Sequence, residues 1–550
     1  MVCALVAGFT SCAKNLEVHN PNYITDDQMK EFMQSDPSTQ EQVLTGLTGS
    51  LQNNFRVYNA AINGGYSNNG GYEFYKDFMM VMQSGDIVEG TQANPGTFNV
   101  WYQNKADNMY WSTDQDVNNY GYYLAAVYKI SDAQKALDFL TKESCETGTE
   151  AMKAARAKAL VSKAYGYLRL MERYTDLKDP NSGNQGMPWY DKYAYNTPVA
   201  PSTIKETWGY IKDMLSEAVT LFHSTTNNGY TTGNTQTADT YDIDCGVAQY
   251  IRAMAALDMK DYATVIEAYN DVISRYPDLI RAEDYGMPAS KVDAVNRTEV
   301  KDGHRKYVGE AFNAENNAFF NVSKNPEAIF STLGGTNQCW NLRALNNLKN
   351  SESGFKQVDQ KIYEALSDDD VRKSIITNAE VEEFWTYSVD RDTIWYSYKM
   401  PKYTSMKFAA TEGRDKGEYK DHTNAVTKSD EAVFRTSALL LMAAEAYAMS
   451  NDGASSAKTL LNKLLAARTL PGHTPMTVDN TMKGDNLLDF IKLQWRIEMW
   501  GEGDFAFFNQ KRWGAQFDRG ANHWSTKGVE SQGWTWEIPR KERQGNSNWN

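Results

Sequence analysis

Two glutamates near the C-terminus have a spacing that suits acid–base chemistry. Glu498 and Glu502 are four residues apart, which places both carboxylates on one face of a helix. Glycoside hydrolysis needs two carboxylates that face each other across a sugar-sized gap, and neighbours on one helix face leave no such gap. We therefore expect a solvated or helix-capping role for this pair, and we do not expect a glycoside hydrolase.

A third glutamate, Glu445, falls on the same helical stripe as several apolar residues, among them Leu441 and Met442. A carboxylate in such a stripe becomes buried, and a buried charge is normally paired. We expect a structural ion pair here instead of a catalytic acid, with Arg496 as the candidate partner.

Metal-ligating and nucleophilic residues are scattered along the chain. Cys145, Cys245 and Cys339 are too far apart for a disulfide framework or a CxxC metal pattern and are expected to be buried apolar residues. No GxSxG or phosphate-binding loop occurs, and no histidine pair has HExxH or His-x-His spacing. We expect no catalytic residue, metal site or cofactor. The acidic run Asp368-Asp369-Asp370 leaves two interpretations open, a calcium-binding loop or a solvated turn.

Aromatic residues beside amides and carboxylates point instead to binding. A saccharide presents apolar C–H faces and a rim of hydroxyl groups, so its site combines aromatic platforms with polar side chains. One candidate stretch contains Tyr66, Asn69, Tyr72, Glu73, Asp86, Asn94 and Trp101, and a second contains Asn337, Gln338, Trp340, Asn341 and Arg343. Trp340 is the leading candidate, with packing inside a lobe as its alternative. Trp101 has a similar alternative, packing of the N-terminal segment against helices.

The beginning of the chain and its charge restrict where the protein works. Residues Met1 to Ser11 are mostly apolar and end in small residues before Cys12, as in a bacterial lipoprotein signal peptide that is cleaved so that the cysteine carries lipid. The alternative is an apolar N-terminus that is not processed.

A net charge of −14 argues against nucleic-acid binding.

Sequence patterns typical of helices indicate which elements would position the candidate residues. Apolar residues recur at three- and four-residue steps between Thr149 and Tyr174, and Thr203-x-x-Glu206 forms a capping box. Helix–turn–helix pairs with small residues at the contact follow, one starting at Cys245 and one over Val433–Ser450 and Ala454–Arg468, as in tetratricopeptide units. Between about 284 and 429 the pattern weakens into an irregular lobe, with short strands expected between Phe384 and Tyr403.

The C-terminal third resembles the SusD/RagB-like outer-membrane lipoproteins of Bacteroidetes. The motifs that carry the resemblance occur in the family's order: Ala443-Ala444-Glu445-Ala446-Tyr447, Arg496-Ile497-Glu498-Met499-Trp500-Gly501-Glu502-Gly503, Phe507-Phe508-Asn509-Gln510-Lys511-Arg512-Trp513-Gly514 and Ile538-Pro539-x-x-Glu542-x-x-x-Asn546. Asn509 departs from the family's usual Asp. The segment after Asp86 lacks the tryptophans of the starch-binding member, so starch specificity does not carry over.

The resemblance implies an all-α protein, with tetratricopeptide-like helical pairs forming a scaffold and a large irregular ligand-binding insertion. It implies a signal peptide over residues 1–11 and a SusD-like domain over 12–550. Within that domain the scaffold spans about 115–283 and 430–515, the inserted lobe about 284–429, and segment 12–114 contributes to the binding face.

The function implied is that of a lipid-anchored cell-surface protein, without enzymatic activity, that captures oligo- or polysaccharides for a SusC-like TonB-dependent transporter in the outer membrane. Two other functions remain open. One is capture of peptides for the same type of partner, which the acidic charge favours for cationic peptides. The other is a tetratricopeptide scaffold that binds a protein tail and no small ligand.

Overall fold

The structure is a computed structural model that describes residues 31, 35–56, 84–89, 112–115, 117–192, 197–231, 240–285, 298–301, 303–307, 317–319, 322–332, 356–387, 394–407, 431–515, 517–523 and 534–549. Helices dominate these residues. In chain order they are α1 (Pro37–Arg56), α2 (Val117–Phe139), α3 (Lys142–Glu146), α4 (Glu150–Tyr174), α5 (Ile204–His223), α6 (Cys245–Asp258), α7 (Tyr262–Ile273), α8 (Gln360–Ala365), α9 (Val371–Ser374), α10 (Thr436–Ala448), α11 (Ala454–Arg468), α12 (Gly484–Glu498), α13 (Phe505–Trp513) and α14 (Arg540–Gly545).

The long helices pack in series, each against the next along the chain. Helix α4 contacts α2 and α5, α6 contacts α5 and α7, and α10 contacts α7, α11 and α12. The predicted small-residue contact is confirmed, because Ala248, Ala253 and Ala256 of α6 are fully buried. Gly166 allows α4 to approach α2 closely, since a Cβ there would lie 2.8 Å from the Ala126 carbonyl oxygen. The tetratricopeptide-like scaffold predicted from the sequence is therefore present.

Side chains cap the starts of two predicted helices, and one of these caps, the capping box at Thr203, was itself predicted. The Thr149 side chain accepts a hydrogen bond from the Met152 amide at the start of α4. The capping box of α5 is complete, since Glu206 N donates to Thr203 Oγ1 at 3.2 Å and Thr203 N donates to Glu206 Oε2 at 2.9 Å. One expectation was wrong: residues from Val433 to Arg435 form a strand, and α10 starts only at Thr436.

Short strands lie between and beside the helices. They are β1 (Ile87–Glu89), β2 (Gln185–Pro188), β3 (Pro201–Thr203), β4 (Thr298–Lys301), β5 (His304–Tyr307), β6 (Ala328–Thr332), β7 (Lys356–Val358), β8 (Val381–Tyr387), β9 (Ile394–Met400) and β10 (Glu431–Arg435). Strands β1 and β7, β2 and β3, and β6 and β10 form antiparallel pairs, and the fourth sheet has the order β4-β5-β8-β9. The strands expected between Phe384 and Tyr403 are confirmed by β8 and β9.

The buried apolar residues form two clusters. The larger one fills the helical scaffold from Leu44 to Trp549. The smaller one consists mostly of residues between Tyr285 and Met406, and it also includes Ile87, Ile497 and Trp500. None of the described helices has the length and hydropathy needed to cross a bilayer. Strands are short and helices carry the core, so the fold class is the predicted all-α one.

Candidate functional site

The two-stranded β1–β7 ladder joins the two chain segments in which ligand-binding residues are predicted. Its register pairs Ile87 with Val358 and Glu89 with Lys356. The stretch that contains Asn94 and Trp101 follows Glu89 in the chain, and the stretch that contains Trp340 precedes Lys356. Both stretches are therefore attached at the same end of one antiparallel pair of strands.

Asp86 holds this ladder to the helical scaffold. The Arg496 Nε of α12 donates to Asp86 Oδ1 at 2.7 Å, and the Trp500 indole donates to the Asp86 carbonyl oxygen at 2.8 Å. Asp359 N donates to the same carbonyl oxygen at 3.2 Å. Burial raises the pKa of Asp86, and the Arg496 guanidinium opposes that rise.

Asp359 fixes the other strand, directly after β7. His523 lies 2.8 Å from its Oδ2, and the Gly520 amide donates to the same oxygen at 2.7 Å. Oδ1 accepts from Lys361 N at the start of α8. Burial opposes ionisation of Asp359, but the hydrogen bonds from His523 and Gly520 outweigh it and hold the pKa of this carboxyl below its ordinary value.

The prediction that Asp86 binds ligand directly is not supported by its position. Its side chain is 1% exposed and is engaged by Arg496 inside the protein, so we assign it a positioning role. The other predicted site residues lie outside the described residues: Cys12, Tyr66, Asn69, Tyr72, Glu73, Asn94, Trp101, Asn337, Gln338, Trp340, Asn341 and Arg343. Sequence reasoning missed Asp359 and His523, because they bond across a sequence separation of 164 residues.

The motif glutamates form the centre of a second buried network, and the expected solvated or capping role was wrong. Glu498 Oε1 accepts from Arg468 Nη2 at 2.7 Å and from Arg435 Nη2 at 3.2 Å, while Arg372 Nη1 donates to Oε2 at 3.2 Å. Glu502 Oε2 accepts from Arg435 Nε at 2.6 Å. Burial opposes ionisation of Glu498, but the surrounding arginines, Arg468 first, hold its pKa well below its ordinary value.

This network links the segments around β6 and α9 to β10, α11 and α12. Glu327, next to β6, pairs with Arg435 of β10 and Arg468 of α11, and Arg372 is contributed by α9. Because both motif carboxylates are engaged by cations in the interior, neither faces a gap that could hold a sugar. The arrangement fixes structure and offers no acid–base pair for hydrolysis.

Glu445 is buried in an ion pair, as expected, but its partner differs from the predicted one. Arg512 Nη2 donates to Glu445 Oε2 at 2.9 Å, and the Trp513 indole donates to Oε1 at 2.9 Å. Both donors come from the Phe507–Gly514 motif, whereas Arg496 is engaged by Asp86. The motif residues of this chain are therefore mutual partners.

The acidic run and the cysteines also have defined surroundings. Asp368 pairs with Lys373, Asp369 with His473, and Asp370 with Arg372. Cys145 and Cys245 are buried and unbridged, as expected, and Cys339 lies outside the described residues.

A small cavity lies against the second apolar cluster. It is lined by residues that include Tyr285, Val358, Arg372, Ile497 and Trp500, and its volume is about 20 Å³. That volume suits one water molecule, whereas sites for small organic ligands occupy hundreds of cubic ångströms. The cavity is a packing feature next to Val358 of β7.

Comparison with known proteins identifies the family. The model described as "SusD family" matches residues 292–550, and the model described as "Starch-binding associating with outer membrane" matches residues 69–240. No curated protein is significantly similar to this chain in sequence.

Solved structures share the fold. A SusD-like carbohydrate binding protein from Bacteroides vulgatus has a TM-score of 0.60 at 18% identity, over 93% of this chain and 96% of that one. A SusD superfamily protein from Bacteroides thetaiotaomicron has a TM-score of 0.63 at 16% identity, over 92% and 99%. One from Bacteroides fragilis has a TM-score of 0.61 at 18% identity, over 93% and 99%. With the two models matching successive parts of its sequence and these structures matching its fold, the chain belongs to the SusD family.

Proposed function

We propose that this protein is a lipid-anchored surface protein that captures glycans and delivers them to a SusC-like TonB-dependent transporter in the outer membrane. The observation that carries the glycan-binding part is the β1–β7 ladder. It gives two segments rich in aromatic and amide residues a common point of attachment. The names of the matching family model and of the B. vulgatus protein, which refer to starch and carbohydrate, agree with this ligand class.

The described residues provide a rigid base for such a site. Asp86 and Asp359, one beside each strand, are held by Arg496, Trp500 and His523 in the interior. A fixed base lowers the entropy lost when ligand binds, because the segments that contain the predicted platforms start from set positions. Individual stacking and hydrogen-bonding contacts with a sugar are weak, so this rigidity bears directly on affinity.

A glycan array and a peptide library, probed with the same purified protein, test the ligand class. We expect binding on the array and little on the library. Binding to the library alone would replace the proposal with peptide capture, the alternative kept from the sequence. Release of reducing ends from a bound polysaccharide would contradict the binding role and indicate a hydrolase.

The leading platform candidate is tested on the glycan that the array identifies. Loss of one stacking aromatic removes roughly 1 kcal/mol or more of interaction, so Trp340→Ala is expected to weaken binding about 5-fold or more. Tyr128→Ala is the control, because Tyr128 is an aromatic residue that is 40% exposed on scaffold helix α2. Equal affinity of the two variants, with binding intact, would assign Trp340 to packing.

A further inference from the structure

Three successive scaffold helices bring together a histidine, a cysteine and an aspartate. His223 is the last residue of α5, Cys245 is the first residue of α6, and Asp271 lies on α7. One ligand atom of each residue lies within 4.8 Å of the other two. The three are the imidazole, thiol and carboxylate types that transition metals bind.

The separation of His223 and Asp271 is slightly shorter than in a coordination shell, and no separation among the three groups exceeds 4.8 Å. His223 Nε2 lies 3.0 Å from Asp271 Oδ2. Ligand atoms of a tetrahedral zinc site are about 3.3–3.6 Å apart, as follows from bond lengths of about 2.0–2.3 Å. Gln249 Nε2 donates to the same Asp271 oxygen at 2.6 Å and orients the carboxylate. Small side-chain rotations would therefore suffice to place an ion between the three groups.

A fourth residue supplies an independent observation. The Tyr230 side chain is 3% exposed, and its hydroxyl makes no hydrogen bond of acceptable geometry within the described part of the chain. Burial raises the pKa of Tyr230, and the nearby Cys245 and Asp271 act in the same direction. The phenol faces the Cys245 thiol and the Asp271 carboxylate. A buried hydroxyl without a well-formed hydrogen bond is costly, so a bound species that completes the hydrogen bond would lower that cost.

We propose that His223, Cys245 and Asp271 bind a divalent transition-metal ion, with zinc the preferred metal. The three side chains supply three ligands, a water molecule takes the fourth position, and the Tyr230 hydroxyl bonds to that water. On binding, the Cys245 thiol loses its proton to solvent and the thiolate forms the metal–sulfur bond, with no change of oxidation state. His223, whose side chain is 41% exposed, opens the site to solvent.

The donor set selects the metal and the role. A thiolate and an imidazole are poor ligands for calcium and magnesium, which take oxygen, and good ones for zinc. Because each ligand comes from a different helix, the ion links α5, α6 and α7. The site uses none of the residues proposed to bind glycan, so either proposal can fail alone.

Cobalt titration of the full mature chain tests the site directly. We expect near-ultraviolet sulfur-to-cobalt charge-transfer absorption together with visible bands typical of tetrahedral cobalt, and zinc should displace both. Cys245→Ser is expected to abolish the near-ultraviolet band, whereas Cys145→Ser, a change at an equally buried cysteine, should retain it. Gln249→Ala, which frees the Asp271 carboxylate, should weaken cobalt binding by about 10- to 100-fold.

If Cys245→Ser does not fold, His223→Gln keeps the test decisive, because the His223 side chain is 41% exposed and its replacement disturbs the core little. It should lose tight cobalt binding while its unfolding temperature without metal stays near that of the parent. Zinc should raise the unfolding temperature of the parent and leave that of His223→Gln unchanged. Absence of the charge-transfer band in the parent would leave only a His223–Asp271 contact beside a buried cysteine. Persistence of the band in Cys245→Ser would show that another thiol binds the cobalt. Either result overturns the proposal.

Discussion

At the scale of single residues, Glu498 has the most consequential surroundings. Three arginines from three different elements donate to its two oxygens, and its side chain is fully buried. Desolvation makes such a charge unfavourable unless its partners remain. The buried guanidinium groups therefore need this carboxylate as their counter-charge, whether or not the network as a whole stabilises the protein.

Glu498→Gln should lower the free energy of unfolding by about 3–5 kcal/mol, because it leaves buried guanidinium groups without their counter-charge. Urea denaturation followed by circular dichroism measures this change. The same substitution at Glu267, which is 67% exposed in a pair with Arg252, is the control and should cost less than about 1 kcal/mol. Equal losses in the two variants would contradict a special role for the buried network.

The pKa of Glu498 gives this loss a pH dependence. The arginines hold that pKa well below its ordinary value, so the unfolded chain binds the proton more readily than the folded one. The stabilisation is then fully present above the unfolded pKa of about 4.3 and disappears as pH falls through the folded pKa. We expect the difference in unfolding free energy between the parent and Glu498→Gln to shrink below about pH 4. A constant difference on acidification, measured by urea denaturation at each pH, would count against this linkage.

The sequence marked these glutamates but could not supply their partners. Glu498 and Glu502 were recognised by local spacing, whereas Arg372 and Arg435 lie more than 60 residues away and carry no local sign of the pairing. From local sequence alone, the Glu498 and Glu502 carboxylates are therefore predicted to be solvated. Glu445 was read correctly as buried, because its own helix supplies the apolar stripe, yet its partner Arg512 was beyond local reasoning.

At the scale of elements, the long helices were predictable and the strands less so. The periodic apolar residues of α4 and the capping box of α5 are local signals, and both were confirmed. The strand β10 displaced the predicted start of a helix because it pairs with β6, about a hundred residues earlier in the chain. The β1–β7 ladder is likewise set by distant contacts, and nothing local in Ile87–Glu89 indicates it.

Alanine substitution of Gly166 tests the close approach of α2 and α4, and Gly209 in α5 provides the control. Gly166→Ala places a methyl group 2.8 Å from the Ala126 carbonyl oxygen and is expected to cost about 1–3 kcal/mol of unfolding free energy, as overpacking does. Gly209→Ala in α5 meets nothing within 4 Å and should stabilise by about 0.5–1 kcal/mol through helix propensity. Thermal and urea unfolding of both variants measures the difference. Stabilisation by both alanines would mean that the two helices are free to separate.

At the scale of the whole molecule, sequence distance also concealed the candidate metal ligands. His223, Cys245 and Asp271 carry none of the short spacings that mark metal sites in a sequence, and the isolated histidines gave no reason to expect one. They meet only because successive helices of the scaffold pack side by side. The predicted glycan-binding stretches, by contrast, were recognised from their own composition. The ladder adds that the part with Asn94 and Trp101 and the part with Trp340 are attached at one end of the same pair of strands.

Glycan capture requires the binding site, whereas delivery also requires attachment to the membrane. Substitution of Cys12 is expected to affect delivery alone. If a lipid on Cys12 anchors the protein to the membrane beside its transporter, Cys12→Ser should leave the glycan dissociation constant of the purified protein unchanged. No predicted contact with the ligand is altered by this substitution. The same variant should leave the membrane fraction, fail to incorporate labelled palmitate and lose glycan-dependent growth, since delivery needs proximity that free protein lacks. Cys3→Ser, within the predicted signal peptide, is the matched control and should behave as the parent in all three cellular measurements. Membrane association that persists in Cys12→Ser would place the anchor elsewhere, whereas full growth without the anchor would show that capture alone suffices for uptake.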